Sequence, residues 1–454
     1  MAKRINETQR EAILNLLSQG HDRATISARI GVTPAQVSAI SAHVKMGTYD
    51  LSSRENNDET IRKSRQRVES MLEEARSIEP PYETFDPVLI GNDAENEEPV
   101  YWNPDPVSGS ANPHVLVLGE SGFGKTYAVS CMLTELAQRR IPSIVFDYSQ
   151  GFSLDSSPRE FLQFGKPEEL DAGRNGVNIN PLQGYPFDVH GSVSIAQRVA
   201  DTFRRVYSGI GIQQHAMLRQ AVLDVLPDSE PEKREDVPPF LNLQHQLESC
   251  ARDPGHPNRR LAATVASHIS TVFVFNTFRS NGQDLQWGDM LRSNGRVFVV
   301  KLKGLEHSLE KAVTEFLLWN FIGYVESLGP GPLRCFVVLD EAHKLSFDNG
   351  SPAEKLLREG RKFGLGLVLA SQQPDDFSSV AFANTATKLV FQVGDDNSSV
   401  SRQLHRKIRN AHSFSDIYEI VTKLPRGWAY VVTENEGRVT RVDSFEDRAK
   451  RWKQ

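Results

Sequence analysis

The 454-residue sequence has few cysteines, no membrane-length apolar run and no excess of positive charge. Cys131, Cys250 and Cys335 lie far apart without metal-ligand spacing, so reduced thiols in a cytoplasmic protein fit best. The first residues, Met1–Asn6, lack the apolar core of a signal peptide. No apolar run reaches the length needed to cross a bilayer, so we expect no membrane partner.

The acidic net charge excludes the class of nucleic-acid-binding proteins that are basic over their whole surface. The net charge is −6, so any contact with DNA must come from a local patch or an inner surface. Hydrophobic residues make up 39% of the chain and charged residues 24%, as in globular proteins. The length predicts two or three domains, and the sequence shows no internal repeat.

A phosphate-binding pattern is the most informative stretch. Four apolar residues, Val115–Leu118, predict a buried strand, and G-x-x-x-x-G-K-T follows before a predicted helix, Tyr127–Arg139. Glycines let the loop turn its N–H groups toward phosphates, Lys125 contacts the β- and γ-phosphates, and the Thr126 hydroxyl binds Mg²⁺. We therefore expect ATP and Mg²⁺ as cofactors, bound by Gly119, Glu120, Ser121, Gly122, Phe123, Gly124, Lys125, Thr126 and Tyr127.

Two further predicted strands end in carboxylates. Residues 143–147 are a short run that ends at Asp147, and residues 335–341 are an apolar run that ends at Asp340 and Glu341. Alternating strands and helices predict a parallel sheet, which places all three acids near the nucleotide. Asp340 is the predicted Mg²⁺ ligand of a Walker B motif. Glu341 is the predicted general base for the attacking water, which favours hydrolysis over binding alone.

Two more groups have both a functional and a structural interpretation. Gln372 and Gln373 follow the predicted strand Leu365–Ala370, where an amide either senses the γ-phosphate or lines a turn. Arg358, Arg361 and Lys362 share one face of a predicted helix, Ser351–Phe363. This face is either solvated or supplies an arginine finger to a neighbouring subunit, with Arg361 the first choice and Arg358 the second.

The N-terminal 48 residues predict a small helical unit. Helices are expected at Thr8–Leu17, Arg23–Ile30 and Ala35–Lys45, with Thr33 and Pro34 starting the third. This spacing is typical of a helix-turn-helix, and Gln36, Ser38 and His43 are the predicted DNA contacts on the third helix. Six basic residues against three acidic ones give this unit a charge of +3. The alternative is a packing or oligomerisation module.

Several motifs together resemble the HerA branch of the HerA/FtsK ATPases. They are Asn112-Pro113-His114 before the phosphate loop, Phe146-Asp147, Val177–Leu182, Leu339–His343 and the run Glu359–Gly366, which is followed by Ser-Gln-Gln-Pro. The resemblance covers roughly Pro87 to the C-terminus. It implies a RecA-like core, a hexameric ring and ATP-driven movement of double-stranded DNA, often with a nuclease or other effector.

The same resemblance implies roles for matching residues. It places Lys125 and Thr126 on phosphate and Mg²⁺, Asp147 at the edge of the site, and an arginine of Arg358–Lys362 at the subunit boundary. HerA proteins usually open with a small β-barrel, whereas here a helix-turn-helix-like unit stands in that place. Only Val88–Trp102 is a candidate remnant of a barrel, and the chain has no nuclease constellation of its own.

The predicted fold class is α/β, a RecA-like P-loop NTPase core with a mainly parallel sheet, a helical insertion and a small all-α N-terminal unit. The expected domains are the helix-turn-helix-like unit at 1–48, a charged helical connector at 49–82, the core at 83–152 and 286–454, and the helical insertion at 153–285.

The sequence is compatible with three functions. The first is a ring-shaped, ATP-hydrolysing motor that translocates double-stranded DNA in DNA processing or antiphage defence. The second is a nucleotide-gated DNA-binding or regulatory protein without processive translocation. The third is a DNA-pumping or protein-secretion ATPase at a membrane, which the lack of a membrane-length apolar run disfavours.

Overall fold

The computed structural model describes most of the chain. The described residues are 7–18, 21–45, 73, 85–105, 112–227, 236–279, 285–372, 379–394, 398–406, 413–433 and 436–452. The chain divides into two compact units, Met1–Glu73 and Glu74–Gln454. Apart from Glu73, the predicted charged connector at 49–82 lies outside the described residues.

The N-terminal unit contains three helices, α1 (Glu7–Ser18), α2 (Arg23–Ile30) and α3 (Pro34–Lys45). The Asp22 carboxylate caps α2 by accepting from two backbone N–H groups, and Gly31 ends this helix with a left-handed φ of 70°. A core of four buried side chains holds the helices together: Ile13, Ile26, Val37 and Ile40. The three predicted helices are confirmed, while a role in DNA binding stays a prediction.

The larger unit is built on one sheet of eleven strands among the described residues. The strands are β1 (Val88–Asp93), β2 (Pro99–Trp102), β3 (Val115–Leu118), β4 (Ser143–Asp147), β5 (Glu168–Asp171), β6 (Val297–Lys301), β7 (Cys335–Leu339), β8 (Leu365–Ser371), β9 (Thr387–Val390), β10 (Trp428–Thr433) and β11 (Glu436–Val442). Their order is β2-β1-β11-β10-β9-β3-β8-β7-β4-β6-β5. The seven strands from β9 to β5 run parallel, and the other four add an antiparallel edge.

Both faces of the central parallel strands are buried. Alternate residues of β3 and β7 belong to two different apolar clusters, with Leu116 and Leu339 in one and Val117 and Val338 in the other. Consecutive apolar residues are therefore required along these strands, which is why the sequence shows unbroken apolar runs. The predicted α/β class with a mainly parallel sheet is confirmed.

Helices cover the sheet and fill the segment between β4 and β6. In chain order they are α4 (Lys125–Gln138), α5 (Arg159–Gly165), α6 (Ala172–Asn175), α7 (Ser192–Val206), α8 (Ile212–Val225), α9 (Leu241–Arg252), α10 (Arg259–Val274), α11 (Trp287–Leu291), α12 (His307–Ser327), α13 (Pro352–Glu359), α14 (Ser379–Asn384), α15 (Ser398–His405), α16 (Phe414–Lys423) and α17 (Phe445–Trp452). None of the helices within the described ranges is long and apolar enough to cross a membrane.

The segment predicted as a helical insertion also contributes a strand. Its longer helices, α7 to α10, agree with the helical prediction for this segment, but β5 was not predicted. This strand is short and largely polar, and it pairs with β6 at the edge of the sheet. An edge strand packs few apolar side chains, so its sequence lacks the pattern of a buried strand.

The segment Val88–Trp102 forms two strands, β1 and β2, which extend the main sheet. β1 pairs with β2 on one side and with β11 on the other, both antiparallel. Among the described residues this segment is therefore part of the main sheet, and its origin as a remnant of a barrel stays a prediction. The carboxyl ends of β3, β4, β7 and β8 remain together at the centre of the sheet, where Leu118 lies opposite Ser371.

Candidate nucleotide-binding site

The phosphate loop follows β3, as its sequence pattern predicts. Gly119, Gly122 and Gly124 have φ values of 141°, 86° and 113°, which side chains rarely adopt. A Cβ on Gly119 would lie 2.6 Å from the Cβ of Phe391, so close packing also demands glycine there. The exposed backbone of Ser121 and Gly122 forms the outer part of the loop.

Neighbouring strands hold the loop in place. The backbone N–H of Glu120 donates to the Gln392 carbonyl at 2.8 Å, and the N–H of Gly427 donates to the Phe123 carbonyl at 3.0 Å. The N–H of Glu120 is therefore already bonded to protein, so the phosphate contact predicted for Glu120 does not use it in this conformation.

The ammonium group of Lys125 lies inside the loop. Its Nζ donates to the carbonyl oxygens of Gly119 at 2.6 Å and Glu120 at 2.9 Å. Burial lowers the pKa of Lys125, and the nearby Glu341 and Asp340 carboxylates oppose this effect. Phosphate oxygens carry negative charge and are stronger acceptors than these carbonyls, so the position suits a triphosphate.

Tyr127 packs toward the C-terminal helix. Its hydroxyl accepts from the Phe445 backbone N–H at 2.8 Å, and the two rings meet edge to face at 5.0 Å. The side chain is thus part of the contact between α4 and α17. If Tyr127 contacts the nucleotide, as predicted, it does so through its backbone N–H and not through its side chain.

The Asp147 carboxylate is buried and organises the loop that follows β4. Its Oδ1 accepts from the backbone N–H groups of Ser149 at 3.0 Å and Gly151 at 3.2 Å, and its Oδ2 accepts from Phe152 at 3.1 Å. Asp147 therefore lies at the nucleotide edge of the sheet, as expected, and there it shapes a loop.

That loop connects the two predicted Mg²⁺ ligands. Ser149 Oγ donates to Asp340 Oδ2 at 2.6 Å. A Cβ on Gly151 would lie 2.8 Å from Thr126 Cγ2, so this glycine allows the loop to pack on Thr126. Sequence analysis did not assign a role to Ser149, although a serine two residues after a strand-ending aspartate was a usable signal.

The donor set fits a divalent cation. The pKa of Asp340 is raised to about 7, chiefly by burial; the hydrogen bond from Ser149 opposes this rise, and the charges of Asp147 and Glu341 add to it. Carboxylates crowded in this way favour a nearby cation. Oxygen ligands such as the Thr126 hydroxyl and the Asp340 carboxylate suit Mg²⁺, so the residues present fit ATP with Mg²⁺.

Glu341 leaves β7 in a left-handed conformation, with φ 48° and ψ 47°. Its Oε1 accepts from Gln372 Nε2 at 2.5 Å, which joins the predicted base to the predicted sensor. Its Oε2 is buried without a hydrogen bond and lies 3.3 Å from His343 Nδ1. No role was predicted for His343. The second predicted sensor, Gln373, lies outside the described residues.

The predicted basic helix is divided between two elements. Arg358 lies in the last turn of α13 and pairs with Glu354, whereas Arg361 and Lys362 lie in a following 3₁₀ turn, Gly360–Phe363. The sequence gives no sign of the change from α-helix to 3₁₀ turn, because no proline interrupts this stretch. The 3₁₀ turn ends at Gly364, which has a left-handed φ of 76°. The prediction that the three cations share one helix is therefore wrong.

Arg361 lies at the amino ends of the parallel strands, whereas the phosphate loop lies at their carboxyl ends. It precedes β8, while Gln372 follows the same strand. The seven residues of β8, at about 3.3 Å each, separate the two ends of this strand by roughly 20 Å. Arg361 is therefore too far to reach the phosphate loop of its own subunit, and a role toward a neighbouring subunit stays a prediction.

In the N-terminal unit, two predicted DNA contacts are bonded within the unit. Gln36 Oε1 accepts from the Thr33 backbone N–H at 2.9 Å, as in a capping box. Ser38 Oγ donates to the Pro34 carbonyl at 2.9 Å. Gln36 therefore caps the start of α3, whereas Ser38 bonds to the first turn of its own helix. The side chain of His43 lies outside the described residues.

Sequence comparisons connect this site with known proteins. The family described as "Helicase HerA, central domain" matches residues 107–321. The DNA double-strand break repair helicase HerA of Saccharolobus solfataricus is 23% identical over 295 residues, 62% of this chain and 54% of that protein. The DNA import protein CedB of Sulfolobus acidocaldarius is 22% identical over 312 residues, 67% of this chain and 47% of that protein. The chain thus spans about half the length of these curated relatives.

Solved structures share the fold at low identity. VirB4 of Thermoanaerobacter pseudethanolicus has a TM-score of 0.62 at 16% identity, and the match covers 80% of this chain and 97% of that one. The plasmid coupling protein TrwB in complex with ADP and Mg²⁺ has a TM-score of 0.50 at 15% identity, covering 73% and 85%. Together with the phosphate loop and the carboxylates beside it, these similarities support a P-loop ATPase of the HerA/FtsK type.

Proposed function

We propose that the protein is an ATP-hydrolysing motor that moves double-stranded DNA. In this reaction, water attacks the γ-phosphorus of ATP while the bond from the γ-phosphorus to the bridging oxygen of ADP breaks. Lys125 binds the β- and γ-phosphates, Thr126 and Asp340 hold Mg²⁺, and Glu341 takes the proton of the attacking water. The products are ADP and inorganic phosphate.

The observation that carries this proposal is the pairing of Glu341 with Gln372. A protein that only binds nucleotide has no need for a second acid beside its Mg²⁺ ligand. Here that acid is bonded at 2.5 Å to an amide at the end of the neighbouring strand. An amide in this position can contact the γ-phosphate and the base at once, which suits hydrolysis.

The assembly and substrate are also part of the proposal. The position of Arg361 favours a ring, because its guanidinium can serve only the phosphate loop of another subunit if it acts on ATP at all. A hexamer that encircles double-stranded DNA is the arrangement we propose. Similarity to two relatives, a DNA double-strand break repair helicase and a DNA import protein, supports DNA as the substrate.

A partner and a second DNA contact complete the proposal. We propose that a nuclease or other effector acts with the motor, in DNA processing or antiphage defence. The first 48 residues carry a charge of +3 in a chain of net charge −6, which favours a duplex contact by this part of the chain.

A nucleotide-gated DNA-binding protein without translocation is the alternative, and one assay separates the two functions. ATP turnover is measured with duplexes of increasing length at a fixed total concentration of base pairs. A translocating motor turns over more ATP on longer duplexes, because each encounter lasts for more steps. Turnover that does not depend on duplex length would favour the gated protein.

A further inference from the structure

The carboxylate of Glu341, the proposed general base, has one oxygen without a hydrogen-bond donor in the described part of the chain. Oε1 of Glu341 accepts from Gln372, whereas Oε2 is buried and has no hydrogen bond within the described residues. A buried carboxylate oxygen without a donor is destabilised, because it has lost water and gained nothing in exchange. The left-handed backbone of Glu341, with φ 48°, adds strain that the surrounding contacts must hold.

His343 is the side chain placed to support this oxygen. Its Nδ1 lies 3.3 Å from Glu341 Oε2 and 3.2 Å from Ser371 Oγ. The hydrogen-bond geometry favours Ser371, although the carboxylate is almost equally near. A small rotation of the imidazole would exchange the hydroxyl for the carboxylate, and a bond to a charged acceptor is the stronger of the two.

The surroundings leave room for this rotation. The imidazole of His343 is 31% exposed and lines a cavity of about 330 Å³ together with Arg205 and Lys311. His343 lies in the 3₁₀ turn Ala342–Lys344, directly after β7 and Glu341. Ser371 and Gln372 end the neighbouring strand, β8, so two adjacent strand ends hold the carboxylate.

We propose that His343 is a positioning residue for ATP hydrolysis: with its proton on Nδ1, the imidazole turns from Ser371 and donates to Oε2 of Glu341. Gln372 and His343 then hold one oxygen each, which fixes the carboxylate toward the attacking water. His343 contacts neither nucleotide nor metal in this role and acts through Glu341. The inference rests on the function proposed above, because it assumes that Glu341 is the general base.

Three substitutions at this position test the role of one nitrogen atom. In His343→Asn the amide nitrogen can occupy the place of Nδ1, in His343→Gln it reaches only the place of Nε2, and His343→Ala removes both. We expect His343→Ala and His343→Gln to lower kcat by about 10²-fold, the cost of misplacing a catalytic group by about 1 Å. His343→Asn should retain most of the wild-type kcat.

The KM for ATP, the affinity for a non-hydrolysable analogue and the melting temperature should stay at wild-type values in all three variants. His307→Ala, at an exposed histidine outside the site, is the matched control. A wild-type kcat in His343→Ala would overturn the inference, as would a His343→Asn variant as slow as His343→Ala. A wild-type protein without ATPase activity would instead overturn the proposed function, before any variant is compared.

Discussion

Ser149 donates a 2.6 Å hydrogen bond from its Oγ to Oδ2 of Asp340, across 191 positions of sequence. The same loop packs Gly151 against Thr126, so one short segment contacts both of the residues that we assign to Mg²⁺. Asp147 fixes this segment through three backbone N–H groups. The geometry of the proposed metal site therefore depends on a loop that contributes no ligand itself.

Ser149→Ala should raise the Mg²⁺ concentration needed for half-maximal ATP turnover. Losing a hydrogen bond that orients a metal ligand typically costs about 10- to 100-fold in metal affinity. At saturating Mg²⁺ the variant should approach the wild-type kcat, because the ligands themselves remain. A Mg²⁺ titration of turnover makes the measurement, with Ser308→Ala, at an exposed serine bonded to Glu306, as the control. An unchanged Mg²⁺ requirement would show that Ser149 does not orient Asp340.

Lys125→Ala should lose both nucleotide affinity and turnover. The Lys125 ammonium group is the cation at the centre of the phosphate loop, and its removal leaves the phosphate charge unpaired. Calorimetric titration with ATP and Mg²⁺ measures the affinity directly. Lys423→Ala, at an exposed lysine paired with Glu419, should bind like the wild type. Wild-type ATP affinity in Lys125→Ala would contradict the assignment of this loop to phosphate.

Arg361→Ala should bind ATP normally and hydrolyse it slowly. An arginine finger contributes about 10³–10⁵ to kcat, and Arg361 lies too far from its own phosphate loop to act within one subunit. Mixing Arg361→Ala with Lys125→Ala subunits should restore some turnover, at interfaces where an intact Lys125 meets an intact Arg361. Arg358→Ala, which loses a pairing with Glu354 on α13, is the comparison. Mixed rings without any rescue would exclude the proposed role.

Deleting Met1–Thr48 should weaken duplex binding and flatten its dependence on salt. Each phosphate contact that releases counterions contributes about −0.9 to the slope of log affinity against log salt. Basal ATP turnover should remain, since every residue that we assign to the ATP site lies at or beyond Gly119. Fluorescence anisotropy at several salt concentrations measures the slope, and light scattering measures the assembly. An unchanged slope in an intact assembly would assign the unit to packing.

Much of the fold was predictable because its strongest constraints are local. The buried strands are unbroken apolar runs, and α2 lies between a capping aspartate, Asp22, and an ending glycine, Gly31. The phosphate loop was predictable because Gly119, Gly122 and Gly124 need conformations that other residues avoid. Residues whose identity is dictated by backbone conformation or burial can be recognised from sequence alone.

The remaining features depend on contacts between distant residues. The bond from Ser149 to Asp340 and the position of His343 beside Glu341 arise only when β4, β7 and β8 lie side by side. β5 was missed because an edge strand needs little apolar surface. The helix predicted through Phe363 tightens into a 3₁₀ turn at Gly360, where a packed neighbour, Leu365, is close to the glycine. A one-dimensional pattern does not contain these neighbours.

The central claim is that Glu341 activates water for ATP hydrolysis at this phosphate loop, and Glu341→Gln tests it most directly. The variant keeps the shape of the side chain but removes the base, so it should bind ATP with Mg²⁺ like the wild type. Single-turnover hydrolysis should slow by about 10²–10⁴-fold, the usual contribution of a general base. Glu446→Gln, at an exposed glutamate of α17, should hydrolyse ATP at the wild-type rate. Near-normal hydrolysis by Glu341→Gln would contradict the account.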